Sequence, residues 1–156
     1  MILHVEWGRP VPLKDASKEN MIYGVNLYKL TDSAGVYIFG RRWGNQFEAL
    51  YIGKAGNIRG RIKNHLNNLH LMQHLRNAKT GRRVVLAGVL HPKPGQNLQK
   101  AMALAERALI RHFLSEGHDL VNKLGMRLRT HELNSFGNYP KRFIQKEIYL
   151  ERAKGE

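Results

Sequence analysis

The chain has no cysteine. That excludes a disulfide framework, a thiolate zinc site and a cysteine nucleophile. Acidic residues are scarce as well, with 12 Asp and Glu against 26 Lys and Arg, so the formal net charge is +14. No apolar run is long enough to span a bilayer, so no membrane partner is expected. The N-terminus, MILHVEWGRP, has no basic stretch followed by an apolar one, and no signal peptide is expected. With cysteine absent, a reducing cytoplasm is the expected compartment. Internal repeats, low-complexity blocks and an obvious linker are also missing.

What is present fits one domain over residues 1–156, and 42% hydrophobic residues are enough to build a core. A surface this basic points to a polyanion, most often nucleic acid. A ribonucleoprotein or membrane-surface role fits the charge equally well, so charge alone gives no mechanism.

The hydrophobic pattern predicts a small α/β (α+β) domain with a central antiparallel or mixed sheet flanked by helices. Ile2–Trp7, Ile22–Leu30, Gly35–Phe39, Ala49–Ile52 and Val84–Leu90 read as strands, with a turn in Arg41–Phe47 at Gly44-Asn45. Gly8–Asn20 reads as a loop or short irregular helix. Asn57 reads as an N-cap, followed by Ile58, Ile62, Leu66 and Leu69 at helical spacing. A second short helix is expected over Leu69–Ala78, broken at Thr80-Gly81. The strongest helix is expected over Leu98–Leu114, ended by Gly117. Leu120–Leu124 reads as strand or coil, and Ile144–Leu150 as strand or helix.

Within this frame the polar residues form a constellation. Tyr37 sits in GVY on the first hairpin strand and Tyr51 in YIG on the second. Arg61 and His65, four apart, share a face of the next helix. That face borders the Ile58–Ile62–Leu66 stripe, at the seam between core and solvent. The glycines of the Leu50–His65 stretch are expected to let the backbone turn tightly toward a phosphate. On the long helix the apolar arc is read as Leu98, Met102, Ala105, Leu109, Ile110 and Phe113, and Glu106 falls inside it. A carboxylate on a buried face is costly unless it is paired or holds a metal, so Glu106 is a candidate metal ligand.

Gly35-Val36-Tyr37, Tyr51-Ile52-Gly53, the Asn57-Ile58-x-x-Arg61-x-x-x-His65 run, Glu106 and Asn122 together resemble the GIY-YIG nuclease family. The match runs over residues 35–122, leaving 1–30 and 123–156 as extensions, candidates for substrate recognition or dimer contacts. The resemblance implies an antiparallel sheet flanked by helices and phosphodiester hydrolysis with one divalent cation, Mg²⁺ (or Mn²⁺). It implies that Tyr37 activates the attacking water, that His65 accepts or relays the Tyr37 proton, and that Tyr51 helps hold water or phosphate. Arg61 is implied to bind the scissile phosphate, Glu106 the metal, and Asn122 to organise the site. Lys54 makes YIGK, a form found in the excision-repair branch, while Arg-x-x-x-His resembles the restriction and homing branches. A free tyrosine is a poor base, with a pKa of about 10, and Lys54 or His65 could assist it.

Each feature has a plainer reading. The tyrosines suit any hairpin. Glu106 could pair with a buried arginine, and Asn122 could be a turn residue. Arg59 and Lys63 read as a basic face for nonspecific phosphate contact, and Arg127 and Arg129, like Lys141 and Arg142, as a DNA backbone track or plain surface. Trp7 and Trp43 read as core or loop anchors before base stackers. His70 and His74 have metal-ligand spacing but no third ligand. The expected function is a metal-dependent DNA endonuclease, with RNA not excluded and a homodimer available for double-strand cleavage. The alternative is an inactive nucleic-acid-binding module or ribonucleoprotein component.

Overall fold

The computed structural model describes residues 1–121 and 130–151. Its centre is an antiparallel sheet built around β5 (Gly35–Trp43). On one side β5 pairs with β6 (Gln46–Ala55), joined through the two-residue loop Gly44-Asn45. On the other it pairs with β7 (Arg82–Leu90). The far edge of β7 is shared by β1 (Val5–Trp7) and β2 (Val11–Pro12), so β6 is the opposite edge strand. Gly35 is obligatory at this crowding: a Cβ there would run into the Gly88 carbonyl of β7. Two short ribbons lie outside the sheet, β3 (Lys14–Asp15) with β4 (Tyr23–Gly24), and β8 (Thr130–Asn134) with β9 (Glu147–Glu151).

Helices cover both faces. α1 (Ile58–His65) and α2 (Leu69–Asn77) bury Ile58, Ile62, Leu71, Met72 and Leu75 against Tyr37, Phe39, Leu50 and Val85. α3 (Leu98–Ser115) buries Ile110 and Leu114 against Ile38, Ala49 and Ile52 on the other face. Each helix begins at an asparagine whose side chain accepts the N–H three residues on: Asn57 from Gly60, Asn68 from Leu71 and Asn97 from Lys100. Such caps contribute about 1 kcal/mol each.

A bulge makes the two faces compatible with one hairpin. Phe39 pairs with Tyr51 but Gly40 pairs with Ala49, leaving Leu50 as the extra residue of β6. Leu50 therefore joins Tyr51 on the α1 face, while Ala49 turns to α3. The outer edge of β6 is covered at this point. Gly117, at φ +81, closes α3 with the His118 N–H bonded back to the Phe113 carbonyl and its own N–H to that of Leu114. The closure delivers His118, whose Nδ1 accepts the Ala49 N–H at 2.8 Å, and Val121, whose N–H donates to the Leu50 carbonyl at 2.8 Å.

Four expectations need correction. Ile22–Leu30 is not a strand beyond Tyr23–Gly24; Asn26 accepts the Tyr28 N–H and starts a 3₁₀ turn at Leu27–Lys29. The strands of the hairpin extend to Trp43 and start again at Gln46, so the Arg41–Phe47 turn is shorter than the composition suggested. Leu69 does not continue the α1 stripe; it opens α2 and is exposed. On α3 the buried arc includes Ala101 and Leu114 rather than the exposed Leu98. Of Ile144–Leu150, read as strand or helix, the strand forms only from Glu147, as β9 (Glu147–Glu151).

Candidate functional site

Tyr37 and Gly53 are cross-strand partners on β5 and β6. A Cβ on Gly53 would fall on the Tyr37 hydroxyl and ring. The glycine of the second motif therefore makes room for the tyrosine of the first. It is a close-approach residue inside a strand, not the tight turn read from the sequence.

Tyr37, Tyr51, Phe39 and His65 form one aromatic cluster. Tyr37 and Tyr51 stack at 6.3 Å between ring centres, and His65 meets Tyr51 edge-on at 5.2 Å. Phe39 packs on both tyrosines and the imidazole. Helical spacing puts His65 one turn from Arg61, and the buried Ile58 and Ile62 fix the face of α1 that carries them.

The Tyr37 hydroxyl and His65 Nε2 are 2.6 Å apart. Electrostatics sets the charge of each. Burial, then the neighbouring Tyr51, raises the Tyr37 pKa, with Arg61 pulling the other way. Burial and Arg61 hold His65 down to about 4. At neutral pH the phenol keeps its proton and the imidazole is neutral, and the tautomer with its proton on Nδ1 leaves Nε2 bare to accept from Tyr37.

Glu106, on α3, is coupled to this cluster electrostatically, through Tyr51 and Arg61. It is 8% exposed, and burial raises its pKa while Lys54 and Arg61 oppose the rise. Its charge in turn raises the pKa of Tyr51, after burial. Among the described residues its carboxylate makes no salt bridge and no hydrogen bond, and no buried side-chain oxygen lacks a partner, so its oxygens reach solvent. Lys54 and Arg61 are exposed and also form no ion pair among the described residues.

Beside them lies an open groove of about 450 Å³ between the start of α1 and the start of α3. Lys54, Asn57, Arg61, Asn64 and Gln99 line it, and no carboxylate does. The helix terminus itself is not the anion site. The Ile58 and Arg59 N–H groups donate to the Ser33 and Thr31 carbonyls, and that of Gly60 to Asn57. An anion entering the groove would be met by side chains.

The residues fit a hydrated divalent cation better than a dehydrated one. No group of three or more His, Asp or Glu converges among the described residues. A cation held by Glu106 would keep most of its coordination in water and substrate oxygens, which is the habit of Mg²⁺.

Of the residues singled out in the sequence, Tyr37, Tyr51, Arg61, His65, Lys54 and Glu106 are brought into one electrostatic neighbourhood. Asn122, Arg127 and Arg129 lie outside the described residues. Lys63 is exposed on α1, away from the groove lining. Arg59 has a structural task that the sequence reading missed: its Nε donates to the Leu27 and Leu30 carbonyls and straps the 3₁₀ turn to α1. His74 contacts the Asp119 carbonyl at 3.3 Å and joins no metal cluster. Trp7 and Trp43 are exposed and not core residues, and the Arg41 guanidinium lies 3.8 Å over the Trp43 ring. Asn64 and Gln99 escaped the sequence reading because single amides on helix faces carry no periodic signal.

Comparison with protein-family models, with curated proteins and with solved structures finds no match. No helix among the described residues is long and apolar enough to cross a membrane.

Proposed function

We propose that the chain is a metal-dependent endonuclease that hydrolyses phosphodiester bonds in DNA, by the scheme of the GIY-YIG family that its motifs resemble. The observation that supports this most is the 2.6 Å contact of Tyr37 with a neutral His65, beside a cation and a carboxylate that have no salt-bridge partner among the described residues.

Phosphoryl transfer needs positioning and stabilisation of negative charge more than covalent help from the protein. Arg61 offers a planar fork to the scissile phosphate from the groove wall. Lys54, on the same wall, adds a second cation. Tyr37 is too weak an acid to act as a free tyrosinate, so its role is a relay. Its oxygen takes a proton from the attacking water as its own proton passes to His65 Nε2. The water oxygen bonds to phosphorus while the bond to the leaving oxygen breaks. Tyr51 and Phe39 wall the relay from bulk solvent. Glu106 is the residue that would hold Mg²⁺ or Mn²⁺, which supplies Lewis-acid stabilisation of charge on phosphate and leaving oxygen.

One such site cuts one strand. Cutting both strands would take two protomers or two binding events.

The test is purified protein with supercoiled plasmid and Mg²⁺, beside Arg61→Ala and Glu106→Ala variants and an EDTA control. Nicking by the wild type alone, abolished by EDTA, is the expected outcome. Equal DNA binding and no cleavage by all three proteins would leave only a basic binding module. Co-purification with RNA and indifference to EDTA would favour a ribonucleoprotein component.

A further inference from the structure

The β8–β9 ribbon carries a loop that the catalytic reading does not use. Residues 135–146, SFGNYPKRFIQK, contain three cations and no acid. The loop is built, not loose. Ser135 donates to the Lys146 carbonyl at 2.7 Å, and the Pro140 carbonyl accepts from both Phe143 and Ile144 at 2.9 Å. Yet Phe136 is 94% exposed and Phe143 85% exposed. Two nearly fully exposed phenyl rings on one ordered turn offer apolar surface to a partner. Lys141, Arg142 and Lys146 are exposed beside them and make no ion pair with any described residue.

Flat apolar rings interleaved with exposed cations that pair with no described residue match one polymer by charge and shape, a nucleic acid strand whose bases are free to stack. Duplex DNA hides its base faces and would satisfy the cations only. We propose that the 135–146 loop is a stacking platform for unpaired bases, and that the substrate is DNA with single-stranded character beside the cut. The cut itself rests on the nuclease reading above; the platform does not.

The loop is tied to the candidate site through α3. β9 lies against α3, and Gln145 donates to Glu116 at 3.3 Å. Glu106 is ten residues up the chain from Glu116, about 15 Å along the helix axis.

The test is fluorescence anisotropy in EDTA, so that nothing is cut, with a labelled single strand of about a dozen nucleotides and its matching duplex. Phe136→Ala/Phe143→Ala is expected to weaken single-strand binding by about ten-fold or more and duplex binding by less than about two-fold. Lys141→Ala/Arg142→Ala/Lys146→Ala is expected to weaken both and to flatten the salt dependence. Equal losses on both ligands, or no loss from the phenylalanine variant, would overturn the proposal. So would unchanged single-strand binding with an altered oligomeric state, which would make the loop a protein contact. Plasmid nicking in Mg²⁺ is read separately. Its absence with stacking intact would remove the nuclease reading alone, and nicking with stacking absent would remove the platform alone.

Discussion

The hairpin of β5 and β6 carries an arginine and a carboxylate at its closed end, and Tyr37 and Gly53, beside Arg61 and Glu106, at its open end. The two ends are treated differently. At the closed end Arg41 is 7% exposed and fully engaged: its Nε meets Glu48 at 2.9 Å, Nη1 meets the Thr80 carbonyl at 2.7 Å, and its plane lies over Trp43. At the open end Arg61 and Glu106 form no ion pair among the described residues, although Glu106 is almost as buried as Arg41. A fold that satisfies polar groups at one end of a hairpin can do so at the other. The contrast at the open end is what motivates the proposed site: opposite charges with no ion pair among the described residues, around the Tyr37–His65 contact.

Substitutions can break this contrast. Glu106→Gln should lower nicking by about 10³-fold, with thermal stability unchanged or raised because a desolvated charge is removed. A melting curve beside the cleavage rate checks both. Arg41→Ala should do the reverse, costing about 3 kcal/mol of stability by leaving Glu48 partly buried without its partner. Denaturant unfolding reads that loss. Tyr37→Phe keeps the ring but removes the relay, and single-turnover cleavage should fall by about 10²-fold or more while DNA affinity holds. Asn57→Ala removes only the α1 cap and should cost about 1 kcal/mol.

The pH dependence sharpens the contrast further. The folded pKa of His65, about 4, lies below its unfolded value near 6.5. The unfolded chain then binds more protons between those values, so this contribution to stability is whole above about 6.5 and is lost as pH falls toward about 4. Glu106, with its pKa raised, acts in the opposite direction. A His65→Gln variant should therefore lose less stability than the wild type between pH 6.5 and 4. On the acid side the wild-type cleavage rate should fall near pH 4, not near 6.5.

Much of this was legible in the sequence because it rests on short-range rules. The Asn57 cap, the spacing of Ile58 with Ile62, and the turn at Gly44-Asn45 are local, and each formed. The apolar runs around GVY and YIG, with the turn between them, predicted the paired strands. The carboxylate inside the apolar arc of α3 was visible as an anomaly, and Glu106 is indeed buried. What failed depends on distant residues. Leu98 and Leu114 trade places in the core because the arc of α3 is set by where the sheet lies, which periodicity does not fix. The Leu50 bulge depends on pairing register, and Arg59 as a strap depends on carbonyls thirty residues earlier in the chain. The role of Gly53 needed the Tyr37 ring opposite it, which only the fold supplies. Asn122, Arg127 and Arg129 lie outside the described residues, so the fold says nothing of them.

The most direct test of the central claim is the rate of plasmid nicking in Mg²⁺ by Glu106→Gln and Arg61→Ala, measured against DNA affinity for the same proteins. The account predicts that both variants bind DNA within a few-fold of the wild type and cut it orders of magnitude more slowly. Cleavage by both variants at the wild-type rate would mean that these two charges await no phosphate and no metal.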